Sequence, residues 1–146
     1  MRIRGKLIFR DKSGKEKIIN YSGSEEFINE VLTIVDLHSR KNADYSAAEN
    51  PYSTFIVVED IGIPAHMGVF VRMSDKWERI KNLLAKGEEN RAVKEESLID
   101  TARDLAVYSL IFVSLLKRKE EKQEKKIGTE LIMPLEELKM ENYMVG

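Results

Sequence analysis

The stretch Glu95-Glu96-Ser97-Leu98-Ile99-Asp100-Thr101-Ala102-Arg103-Asp104 runs without a break into Leu105-Ala-Val-Tyr-Ser-Leu-Ile-Phe-Val-Ser-Leu-Leu116. No other feature constrains the fold as much. A helix advances about 100° per residue, so Glu96, Asp100 and Asp104 fall in one stripe roughly 80° wide. Val107 and Ile111 continue at nearly the same angle. The carboxylates therefore stand on a face that becomes core two turns later. A buried, unpaired charge is costly or shifts its pKa until it is neutral, so these groups need a partner. The partner is either Lys or Arg from a neighbouring helix, or a hard divalent cation that prefers oxygen ligands.

Composition narrows the setting. A chain of 146 residues is expected to form one domain with a hydrophobic core. The 24 basic and 25 acidic side chains nearly cancel, which argues against a general binder of nucleic acid or acidic membranes. Without cysteine there is no disulfide framework, thiolate zinc site or cysteine nucleophile. The opening Met-Arg-Ile-Arg-Gly-Lys lacks the apolar core of a signal peptide, and the apolar run from Leu105 to Leu116 is too short to span a bilayer. These features predict a cytoplasmic protein with no membrane association.

Two strands are expected over 2–10 and 16–21, around the glycine-containing loop Asp11-Lys-Ser-Gly14-Lys. Ser22 with Glu25 resembles a capping box, and Ser24 competes as the cap of the same helix. That helix is expected to run to about Lys41, with Phe27, Val31, Ile34 and His38 on its apolar side. A loop over 42–53 and a short helix from about Tyr52 to Asp60, ended by Gly62, follow. Pro64 suits the first turn of the next helix, which runs to about Lys86. There Phe70, Met73, Trp77, Ile80 and Leu84 repeat at helical spacing as a core stripe. The long carboxylate helix is expected from about Val93 to Lys122, then a tail with a helical turn near 135–139. The predicted fold is mainly α, a compact helical bundle with a small N-terminal β-hairpin. Its divisions are hairpin 1–22, helical core 23–122 and tail 123–146.

Each polar group has a plain reading beside a functional one. Arg72, Asp75, Lys76 and Arg79 share the face opposite the Trp77 stripe. They are either a solvated surface with local ion pairs, or a metal ligand (Asp75) beside a phosphate clamp. His38 is a hydrogen-bonded core residue or a catalyst. Lys41, Asp44 and Tyr45 are helix-end caps or reach a ligand. The run from Lys117 to Lys126 mixes both signs and reads as a solvated helix end. For the acidic stripe, the alternative to metal is pairing with Arg72 or Arg79 across a helix interface.

Four blocks occur in order: Lys41-x-x-Asp44-Tyr45, Asn50-Pro51-Tyr52-x-x-Phe55, Val71-Arg72-Met73-Ser74-Asp75-Lys76-Trp77-x-Arg79, and Glu96-Ser97-x-x-Asp100-Thr101-x-x-Asp104-Leu105-Ala106-x-Tyr108. Together they resemble the first nucleotide-modification-associated domain family, found largely in phages and prophages near genes for nucleotide and DNA-base modification. The resemblance covers about residues 36–116. A looser one is to all-helical nucleotide pyrophosphohydrolases of the MazG and dimeric dUTPase type, which bind magnesium through acidic motifs on two adjacent helices. The stripe Glu96, Asp100 and Asp104 is similar to the second of those motifs. The first, with three glutamates, is represented only by Asp75 and Glu78. The resemblance implies a nucleoside triphosphate hydrolysed to monophosphate and pyrophosphate. Asp75, Glu96, Asp100 and Asp104 would hold Mg²⁺ or Mn²⁺, and Arg72, Lys76 and Arg79 would neutralise the phosphates. His38, Lys41 and Asp44 would serve catalysis, with Tyr45, Asn50, Tyr52 and Phe55 toward the base. The alternatives are a non-catalytic accessory module that binds a nucleotide or a protein, and a helical protein serving only oligomerisation. A homo-oligomer is expected.

Overall fold

The computed structural model describes residues 1–45, 50–86 and 98–137. The fold is mainly helical with a small antiparallel hairpin at its start, as the sequence predicts. Its contacts divide the chain into two units, Met1–Pro51 and Tyr52–Gly146.

In the first unit, β1 (Arg2–Arg10) pairs with β2 (Glu16–Ser24) from Arg2 opposite Ser24 to Arg10 opposite Glu16. The turn is organised by one carboxylate. Asp11 Oδ1 accepts from the Ser13 backbone N–H at 2.8 Å, the Ser13 hydroxyl at 2.6 Å and the Lys15 N–H at 3.0 Å. The Ser13 hydroxyl is the main cause of the lowered pKa of Asp11. Gly14 closes the turn at φ +83°, a conformation that side-chain-bearing residues rarely adopt. Arg10 and Glu16 pair across the end of the strands.

Helix α1 (Glu25–Tyr45) follows β2 directly. Its cap is Ser24, whose Oγ accepts from the Phe27 N–H at 3.2 Å. Ser22, the first capping-box candidate, lies in β2 opposite Arg4, because the strand runs three residues past the expected end. Glu26 binds both Ser24 Oγ, at 2.5 Å, and the Met1 ammonium, at 2.8 Å. That ammonium, then the Ser24 hydroxyl, lowers the Glu26 pKa to about 2. Ile28 of this helix is buried, while Phe27 is exposed. The helix continues four residues past Lys41, and Asn42 Nδ2 donates to the Pro51 carbonyl at 2.8 Å.

In the second unit the expected helix over 52–60 is split. A single turn, α2 (Ser53–Ile56), passes into a 3-10 helix over Val57–Ile61. Gly62 ends it at φ +79° and donates its N–H to the Glu59 carbonyl at 3.0 Å. Pro64 stands just before α3 (Ala65–Lys86), its carbonyl accepting from the Met67 N–H at 2.8 Å. A Cβ on Gly68 would lie 3.0 Å from Val58 Cγ2, so this glycine lets the 3-10 segment approach α3 closely.

Helix α4 (Leu98–Glu137) runs antiparallel to α3: Phe112 lies near His66 and Phe70, whereas Asp104 meets Lys76. Residues 93–97 of its expected start lie outside the described residues. At the other end it continues through Gly128 and Pro134, where a tail was expected, over sequence rich in helix-favouring Glu, Lys and Leu. The core between the two helices is Ala65 and Val69 against Val107, Ile111 and Leu115, with Thr101 fully buried.

The packed face of α3 differs from the expected one. Phe70, Trp77 and Leu84 of the predicted stripe are exposed, Trp77 by 57%. On a 100° wheel the buried line through Ala65, Val69 and Lys76 is offset from that stripe by roughly 75°. Lys76 explains the offset. Its apolar stem packs like a hydrocarbon and its ammonium finds Asp104, so the interface can centre on a lysine.

Candidate functional site

The acidic stripe divides at the structure's own boundary between core and solvent. Asp104, in line with Val107 and Ile111, is turned into the α3–α4 interface. Its Oδ2 lies 2.9 Å from Lys76 Nζ, with only 14% of the Asp104 side chain and 20% of the Lys76 side chain exposed. Asp100, one turn earlier, sits at the rim with 52% of its side chain in solvent and Arg103 Nη1 at 3.7 Å. Glu96 lies outside the described residues. Asp75 is exposed on α3. Among the described residues no group of three or more His, Asp or Glu side chains gathers as a metal would require.

The basic residues predicted to share one anion have different surroundings. Lys76 is committed to Asp104. The Arg72 guanidinium lies 5.5 Å from the centre of the Phe55 ring, and Phe55 makes an edge contact with Tyr108 at 6.4 Å between centroids. Arg79 is half-buried with its Nε shielded from solvent. Of the aromatic candidates, Tyr52 lies beneath the Arg118 guanidinium, 4.8 Å from the ring centre. In the first unit His38 is half-buried on α1, while Lys41 and Asp44 are exposed near its end. Asn50 is half-buried beside Pro51, and Tyr45 is the last residue of α1.

A further feature of the second unit was not singled out from the sequence. A cleft of about 530 Å³ lies between the segment 56–66 and α4. Ile56, Ile63 and Leu115 give it an apolar wall, and Arg118, Lys119 and Lys122 line it from the helix. The signal was present in the charge run. At 100° per residue, Arg118, Lys119, Lys122, Lys125 and Lys126 fall within about 120° of arc, continuing the buried line through Ile111 and Leu115. Glu120 and Glu124 fall on the opposite side of the helix, and Glu121 lies about 40° beyond the edge of that arc. A run that mixes both signs as a string is largely sorted by sign as a helix, Lys117 being the exception.

No family model, no curated protein and no solved structure matches this chain. Among the described residues no single helix is long and apolar enough to cross a membrane. Residues 53–61 and α3 reach that length together only across a 110° bend.

Proposed function

We propose that the second unit is a nucleotide-binding module of the accessory, non-catalytic kind, and that the centre of its acidic stripe serves architecture. The contact between Lys76 and Asp104 carries this reading. A carboxylate neutralised at 2.9 Å inside a helix interface is a poor magnesium ligand, because the cation would have to expel an ammonium already held there. The nucleotide part of the reading draws on the resemblance of residues 36–116 to the nucleotide-modification-associated family. Arg72 on Phe55 adds an exposed cation and an aromatic surface of the sort that nucleotides use. Exposed Phe70, Trp77, Ile99, Leu110 and Val113 support a homo-oligomer, which we place in the cytoplasm.

The second reading is a Mg²⁺-dependent pyrophosphohydrolase, favoured by the half-exposed carboxylate of Asp100. There Asp100, with Glu96 and Asp75, would share a cation with substrate phosphates, and the cation would lower the pKa of an attacking water.

A screen of nucleoside triphosphates with Mg²⁺ and with Mn²⁺ separates the two. Thermal shift reads binding, while pyrophosphate and phosphate release read turnover. A nucleotide-dependent shift without turnover is expected, weakened in Arg72→Ala. Metal-dependent pyrophosphate release that disappears in Asp100→Asn would replace the accessory reading with the hydrolase. No shift and no turnover would end both.

A further inference from the structure

The cleft beside α4 shares none of Arg72, Lys76 or Arg79, and its chemistry differs from that of the acidic stripe. We propose that it binds a small phosphorylated organic molecule, its phosphates held by Arg118, Lys119 and Lys122 and its apolar or aromatic body against Ile56, Ile63 and Leu115.

The face of α4 that is apolar through Leu115 turns basic at Arg118, where α3 has already begun and no longer covers it. Its helical line then runs through Arg118, Lys122 and Lys126 at four-residue spacing. Like charges at that spacing destabilise a helix, and a helix end needing only solubility gains by mixing signs on each face. Here the glutamates are kept out of the basic arc. The arrangement disfavours the isolated helix and favours one that faces an anion. It is also local, since the whole chain has a formal charge of −1.

Arg118 is held in place by an aromatic ring. Its guanidinium carbon lies over the Tyr52 ring, 4.8 Å from the ring centre, which holds the cation at the wall of the cleft. A guanidinium over an aromatic ring still carries N–H donors that can bind a phosphate bidentately. Concavity selects a small molecule over a polymer or a lipid surface. At about 530 Å³ the cleft is of the size that encloses small ligands, and it has an apolar wall facing its cations.

One lining group opposes the anion. Glu59 lines the cleft, and its Oε1 accepts a long hydrogen bond, 3.4 Å, from the Ala65 N–H at the start of α3. It places a carboxylate where the helix's positive end would otherwise help hold phosphate. Its removal should therefore tighten binding.

The test is calorimetric titration of the full chain with ATP, with inorganic tripolyphosphate and with a short single-stranded oligonucleotide, at low and at raised salt. ATP is expected to bind more tightly than tripolyphosphate, because it also occupies the apolar wall. Lys122→Glu should weaken both by about tenfold or more. Lys117→Glu makes the same charge change on the opposite side of α4 and should alter them by less than about twofold. Glu59→Gln should strengthen both. These side chains are exposed or at the rim, and unchanged melting temperatures verify that each variant is folded. Equal losses in Lys117→Glu and Lys122→Glu would reduce the effect to net charge and overturn the site. So would the absence of binding, or an oligonucleotide that outcompetes ATP at equal phosphate. Arg72→Ala tests the nucleotide reading above and Lys122→Glu tests this cleft, so the two fail separately.

Discussion

Replacing Asp104 by Asn keeps the side chain's shape and removes its charge, leaving the Lys76 ammonium in the α3–α4 interface facing a neutral amide. Truncating one side of a buried ion pair costs about 3–5 kcal/mol, most of it the penalty for the stranded charge. Here 20% of Lys76 and 14% of Asp104 remain exposed, so water moderates that penalty. A destabilisation of about 2–4 kcal/mol is expected. Near 146 residues each 1 kcal/mol moves the melting temperature by about 3–4 °C, which gives a drop of about 6–16 °C. Thermal melts by circular dichroism, with and without millimolar Mg²⁺, read it. Lys76→Met should cost a similar amount, and the double variant Lys76→Met with Asp104→Leu should recover to within about 1 kcal/mol of wild type, since apolar groups of similar volume replace a buried pair well. The reasoning is refuted if Asp104→Asn melts at or above the wild-type temperature while Mg²⁺ stabilises the wild type alone. That pattern means carboxylates repelling one another in an empty metal site.

Three further outcomes are expected. Trp77, the one tryptophan, should give red-shifted emission readily quenched by iodide at dilutions where light scattering finds a monomer; a blue, protected emission in that monomer would return it to the core. Ser24→Ala should destabilise α1 by about 0.5–2 kcal/mol and Ser22→Ala by clearly less, measured by urea unfolding; the reverse order would restore the earlier capping box. Because the Glu26 pKa is lowered in the folded state, the contact with the Met1 ammonium stabilises above the ordinary carboxylate pKa and is lost as pH falls from there toward about 2. Carbonyl-detected NMR should find Glu26 titrating near 2, and acetylation of the amino terminus should move it upward. A value in the ordinary range before acetylation would discard the contact.

What the sequence could reveal depended on whether a periodicity had one physical cause or two. The hairpin was legible because Asp11, Ser13 and Gly14 carry local turn chemistry that tertiary contacts seldom override. The place of Asp104 was legible too, since Val107 and Ile111 on its line could only be core. The basic partner was expected to be Arg72 or Arg79, and Lys76, which was not among those two, pairs with Asp104. The reason is also why the Trp77 stripe misled. Hydrophobicity scored by residue type counts lysine as polar, yet its stem occupies the interface while three large apolar side chains stay outside. The extent of α4 was missed because Gly128 and Pro134 are breakers by propensity, and the helix passes through both. Likewise, reading the run from Lys117 to Lys126 as merely mixed in sign concealed where its cations lie, which appears once the run is wound into a helix.

The four-residue repeat Val107, Ile111 and Leu115 raises a question of sliding. A row of similar side chains at that spacing can step by one turn, about 5.4 Å, and repack each member in its neighbour's place. One such step would carry Asp100 to the position opposite Lys76, so the ion pair alone does not forbid it. It would also drive Arg103 into the buried place of Val107. The opposite step would set Tyr108 against Lys76 and push Lys119 into the place of Leu115. Arg103 and Lys119 thus act as end stops on either side of the apolar row, and α4 is held against ratcheting along α3 by two cations that make no part of the core.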